Sequence, residues 1–175
     1  MHNLMTTRSF IALFSFLFVM PSFADEVIDE IVVTADFRER PADDMPTSVS
    51  VLSGDEIREA AQQHFEELVS QVPNLNWSGD GHRARYFQIR GIGELEQYEG
   101  APNPSVGFLI DDIDFSGIGT VATLFDMESV EVLRGPQGSR YGANALAGLI
   151  YMRSTTPSAE RDGRLQLSVG DDGAR

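Results

Sequence analysis

No cysteine occurs among the 175 residues. Its absence excludes disulfide frameworks, thiolate zinc sites, iron–sulfur clusters and cysteine nucleophiles. Cations are scarce. Thirteen Lys and Arg stand against 27 Asp and Glu, giving a formal charge of −14 and a pI near 4.4. Phosphate backbones are gripped by clustered cations, so this balance argues against non-specific nucleic-acid binding. A Walker A loop needs a Gly-Lys pair, and none exists. Histidine is confined to His2, His64 and His82, none with a partner at ligand spacing, so no metal site is expected. There is no G-x-S-x-G elbow and no Ser–His–Asp grouping. An enzyme therefore has no support, and no cofactor is expected.

What is present suits one folded domain: 42% hydrophobic and 23% charged residues over a length that can bury a real core. Residues 1–24 read as an export signal. Arg8 supplies the positive charge, Phe10 to Met20 the apolar run, and Ser22-Phe23-Ala24 the small-residue cleavage site before Asp25. The run is shorter than the roughly 20 apolar residues of a membrane-crossing helix. Removing this leader takes away Arg8 and no acid, so 12 basic and 27 acidic residues remain, net −15. No later segment is apolar enough to cross a bilayer as a helix.

After acidic Asp25 to Glu30 comes a β-branched run, Ile31-Val32-Val33-Thr34-Ala35, then a charged stretch with Pro41 and Pro46. Its composition predicts a strand-prone segment on a flexible linker. Such a segment can add as a strand to another protein's sheet edge, with Asp29, Glu30 and Asp36 limiting self-association; alternatively it pairs within its own domain. The body follows. A strand is expected over Ser48 to Leu52, and Ser53-Gly54-Asp55-Glu56 has the form of a capping box. Helices are expected from Asp55 to Gln63 and from Phe65 to Val72, ending before Pro73. Further strands are expected at Tyr86–Arg90, Val106–Ile110, Val130–Leu133 and Leu149–Arg153. The class is α+β. In Arg164 to Gly170 apolar residues take every second position, which fits either a half-buried edge strand or a barrel strand.

Two glycine-bounded stretches invite functional readings. Gly117 to Ala122 matches G-x-G-x-x-A, but the next strand comes too soon for a dinucleotide-binding unit, and no acid stands at the required distance. The loop from Gly93 to Gly100 is either a solvated loop or a ligand-facing one. In the second reading Glu94, Glu96 and Tyr98 meet the ligand, with Arg83 and Arg85 just ahead available to an anion.

Four segments, in order, resemble the N-terminal plug of TonB-dependent outer-membrane receptors. Glu30 to Ala35 resembles the TonB box. Phe87-Gln88-Ile89-Arg90-Gly91-Ile92-Gly93 resembles the central "IRG" strand. Val106 to Asp112 resembles "V-x-V-Y-x-D-G". Val130 to Ala145, reading VEVLRGPQGSRYGANA, resembles the signature "IEVLRGPQGxLYGxNA". Two departures stand out: Ala147 replaces a glycine, and Tyr151 replaces the usual asparagine.

The resemblance implies a small plug with a four-stranded mixed sheet and short helices, closing the lumen of a β-barrel. It divides the chain into a leader (1–24), a box and linker (25–46), a plug (47–158) and the start of a barrel (159–175). Such a barrel needs about 22 strands of about 10 residues, so a fragment or a truncated gene is expected. Ile31, Val32, Val33, Thr34 and Ala35 would bind TonB, working with ExbB and ExbD. Arg90, Glu131 and Arg134 would make ionic contacts with the barrel wall. Gly91, Gly135, Gly138 and Gly142 would occupy tight turns. The whole receptor would take up a scarce solute, a ferric siderophore before others, as iron transport across the outer membrane. A stand-alone periplasmic TonB-binding protein is the alternative.

Overall fold

The computed structural model describes residues 32–35, 40–79, 81, 83–96, 103–119, 122–161, 163 and 165. The expected leader lies outside the described residues. So do Ile31, Tyr98 and nearly all of the alternating segment 164–170.

The strand-prone run forms β1 (Val32–Val33), which pairs antiparallel with β2 (Arg40–Pro41). A 3-10 turn over Ala42–Asp44 leads to β3 (Ser48–Ser53). Ser53 then starts α1 (Gly54–Glu59) through a complete capping box. The Glu56 amide donates to Ser53 Oγ at 3.3 Å, and the Ser53 amide donates to Glu56 Oε2 at 2.7 Å. Helix α1 ends four residues before Gln63 because Ala61 turns left-handed at φ 53°. Helix α2 (Phe65–Leu68) continues as a 3-10 turn, Val69–Gln71.

β4 (Leu75–Ser78) and β5 (Tyr86–Ile89) form a separate antiparallel pair. The remaining elements are β6 (Val106–Ile110), β7 (Ile113–Asp114), β8 (Met127–Arg134), α3 (Gly138–Tyr141) and β9 (Gly148–Ser154).

The main sheet has the order β3-β8-β9-β6-β7. Only β6 and β9 run parallel, so the sheet is mixed, as expected. It has five strands rather than four. The fifth, β7, is a two-residue return after Asp111 and Asp112, whose φ values of 48° and 68° reverse the chain in two residues. β8 is central, paired along its length with β3 and β9.

Alternation along the strands divides the core into two layers. Val130, Val132, Ile150, Met152 and Phe108 face the helices. There Phe65 meets Phe87 and Phe108 edge-on at 5.0 and 5.3 Å, and Phe87 stacks on Phe108 at 5.2 Å. Leu109, Leu133, Leu149 and Tyr151 face the other way, with Val49, Met45, Tyr141 and Ala35 packed on them. Among the described residues no helix is long and apolar enough to cross a membrane, which says nothing of a β-barrel.

Candidate functional site

Glu131 follows from β8's alternation. Its neighbours Val130 and Val132 point to the helices, so its carboxylate points into the second layer. It is fully buried there. A buried carboxylate needs donors to replace lost water. The N-terminal segment supplies them. The Thr34 amide and hydroxyl donate to Oε1 at 2.8 and 2.7 Å, and the Ala35 amide donates to Oε2 at 2.9 Å. The Tyr141 hydroxyl of α3 donates to the Ala35 carbonyl. Burial, then the charges of Asp112 and Glu131, push the Tyr141 hydroxyl up to about 12, so it stays a donor near neutrality.

Of the two readings of residues 32–35 the structure takes the in-domain one: Val33 and Ala35 are fully buried, and β1 pairs within the domain. The Glu131 oxygens are turned inward onto Thr34 and Ala35.

Arg134, three residues along the same strand, serves the other layer. It is 7% exposed. Its Nε donates to the Pro73 carbonyl at 3.1 Å, Nη1 to Ser48 Oγ at 3.2 Å and Nη2 to Ser50 Oγ at 2.5 Å. These acceptors are all neutral. Burial, then the nearby positive charge of Arg90, hold its pKa below the usual arginine value. Arg90 itself is exposed, left-handed at φ 55°, and its amide donates to the Asn74 carbonyl. The two guanidinium groups together favour an anion beside them.

Gly91, Gly135 and Gly142 have φ of 78°, 111° and 80°, where a side chain is strained. Gly138 departs from the expectation. It opens α3 without a left-handed φ, and a Cβ there would meet open space.

The loop residues split by role. Glu94 is a clip rather than an exposed ligand contact. Its carboxylate accepts from the Ser105 amide at 3.0 Å and the Ser105 hydroxyl at 2.7 Å. Arg83 pairs with Glu66 at 3.4 Å. Arg85 lies over the Tyr86 ring at 5.2 Å and donates to the Gly117 carbonyl. Glu96 is exposed. No α-helix opens at Gly117 among the described residues, and Gly119 leaves its space to the Phe87 ring, which a Cβ would meet at 2.4 Å. That packing leaves the dinucleotide reading without its helix. Among the described residues no three His, Asp or Glu side chains are placed to hold a metal.

Sequence reasoning missed Ser48, Ser50 and Pro73 as the seat of Arg134, and Tyr141 as a partner of the N-terminal segment. Glu131 carried a legible signal. A lone acid between Val130 and Leu133 of a central strand must be buried, and must therefore be satisfied by donors from elsewhere.

Comparison with known proteins places this geometry. The TonB-dependent Receptor Plug Domain family matches residues 41–149. The chain is 31% identical over 152 residues to the vitamin B12 transporter BtuB of Vibrio vulnificus, covering 82% of this chain and 23% of that protein. It is 30% identical over 141 residues to the pesticin receptor of Yersinia pestis, covering 79% of this chain and 20% of the receptor. Among solved structures, the ferric yersiniabactin uptake receptor FyuA of Yersinia pestis aligns with a TM-score of 0.55 at 29% identity, over 65% of this chain and 18% of that one. The chain thus spans about a fifth of the length of these relatives, which are transporters and receptors rather than enzymes.

Proposed function

Because the chain belongs to the TonB-dependent receptor plug family, we propose that it is the plug portion of an outer-membrane receptor for energy-coupled uptake of a scarce solute. The observation that carries this reading is the family match across residues 41–149, which takes in β3 to β8 and the start of β9. A ferric siderophore is the preferred solute class. A structural neighbour named for ferric yersiniabactin and a relative named for ferrioxamine B support it, and the vitamin B12 transporter marks the competing class.

In this reading residues 1–24 direct export and are removed. The plug closes the lumen of a barrel continuing from residues 159–175. Arg90 and Arg134 meet carboxylates of the barrel wall, which would relieve their mutual repulsion. Arg83, Arg85, Glu96 and Tyr98 lie on the ligand side. Ile31 to Ala35 act as the TonB box, adding a strand to the periplasmic domain of TonB, which ExbB and ExbD energise. Pulling on the box rearranges the plug and opens a path.

Two measurements test this. An antibody to the plug, used on purified outer membranes, should detect a protein far larger than 19.3 kDa, whose mobility shifts on heating as closed barrels do. A band at the size of the leaderless chain would overturn the receptor reading. Capture by the TonB periplasmic domain should fall in Val33→Pro, which removes a strand amide. Unchanged capture would overturn the box assignment.

A further inference from the structure

We propose that Glu131 is the latch of a two-position segment. When docked, Thr34 and Ala35 are held on its carboxylate. When released, the same residues are open to a partner's sheet edge. The partner half of this inference rests on the TonB reading above; the latch itself does not.

The polar groups of the segment carry the argument. Strand addition proceeds through main-chain N–H and C=O groups. The Thr34 amide is bonded to Glu131 Oε1 and the Ala35 amide to Oε2. The Ala35 carbonyl is taken by the Tyr141 hydroxyl. One edge of Val32 and Val33 is already paired with Pro41 and Arg40. A partner strand therefore cannot use the backbone of Ala35 while the grip holds. Ala35 is also fully buried against Leu109, Leu133, Leu149 and Tyr151. Docking and partner binding are mutually exclusive at this residue.

The grip has a second property. The carboxylate that holds the segment is itself buried, and the segment supplies three of its donors. Undocking breaks these three bonds to a charged acceptor and uncovers the apolar surface of Val33 and Ala35, which is costly. The docked position is therefore the resting one. Release loosens two places together, the centre of β8 through Glu131 and α3 through Tyr141. Glu131 is a positioning residue in this scheme, acting on a partner's site through Thr34 and Ala35.

The test uses the full chain. Amide hydrogen exchange is read at Thr34 and Ala35, with the β8–β9 amides as an internal control. In Glu131→Gln the new NH₂ faces amide donors instead of accepting from them. Exchange at Thr34 and Ala35 should quicken at least about tenfold, while β8–β9 protection holds. If the Gln variant loses β8–β9 protection too, Thr34→Val decides, since it removes one donor at near-constant volume and should quicken exchange at Ala35. Unchanged exchange in the variant that keeps its sheet overturns the latch.

Binding of the TonB periplasmic domain is measured in parallel. A latch that hides the segment lowers apparent affinity by the fraction released, so Kd for Glu131→Gln should tighten by the same factor, about tenfold, by which exchange quickens. Faster exchange with an unchanged Kd overturns mutual exclusion and leaves the TonB reading intact. Faster exchange with no TonB binding by either protein overturns the TonB reading and leaves the latch intact.

Discussion

Glu131 and Arg134 sit three positions apart on β8 and serve opposite faces of the same sheet, the acid gripping the N-terminal segment and the base gripping the edge strand and the Pro73 turn. An odd spacing on a strand sends two side chains to opposite faces. One central strand thus holds both the segment ahead of the sheet and the turn that follows the helices.

Truncating Arg134 removes the donors to the Pro73 carbonyl and to two serine hydroxyls, of which Pro73 and Ser48 are exposed to water that can replace part of the loss. Arg134→Ala should cost about 1–2 kcal/mol of stability, the lower part of the range for losing bonds to a charged donor. Arg134→Lys should recover only part, because a single ammonium cannot span acceptors on both β3 and the Pro73 turn. Urea midpoints of the full chain read both.

Gly135 and Gly138 provide a matched pair in one loop. Gly135→Ala forces a side chain into φ 111° and should cost at least about 1 kcal/mol. Gly138→Ala fills open space in a helical turn and should lie within about 0.5 kcal/mol of the parent. Equal losses from both would contradict the assigned backbone.

The Ser53 cap is local and exposed on both sides of its box. Ser53→Ala removes the acceptor for the Glu56 amide and should cost about 1 kcal/mol. Ser53→Asp should restore most of it. Thermal melts of the two variants decide.

Tyr141 makes stability fall in alkali. Its folded pKa is raised from 10 to about 12, so the proton is held more tightly when folded. The contribution is complete below pH 10 and is lost as pH rises through about 12. Tyr141→Phe should reduce the loss of stability between pH 10 and 12. A residual slope is expected, because Tyr151, bonded to Asp112 at 3.0 Å, is raised as well by burial and that carboxylate.

Local chemistry was legible from the chain alone. The bounds of β6 and both bonds of the Ser53–Glu56 box come from neighbouring residues. β4 was not legible, because Leu75-Asn76-Trp77-Ser78 has little apolar alternation and is a strand only through its pairing with β5. Helix α1 stops early through the left-handed Ala61, a residue with no intrinsic preference for that turn. The grip on Thr34 and Ala35 was hidden by distance. Glu131 lies 97 positions beyond Thr34, and no periodicity reaches that far.

That separation also sets an order of folding. A chain made from its N-terminus exposes Val32 to Ala35 long before Glu131 exists. β8 and β9 can pair across a short connection, whereas β3 must wait for a strand about 80 residues away, and the segment for one farther still. Contacts that close the longest loops cost the most entropy and form late. Loop closure therefore predicts that the segment is seated last and that its β-prone stretch stays open to solvent until then. Asp29, Glu30 and Asp36 flank it in the sequence, and charges so placed would limit self-association in that interval.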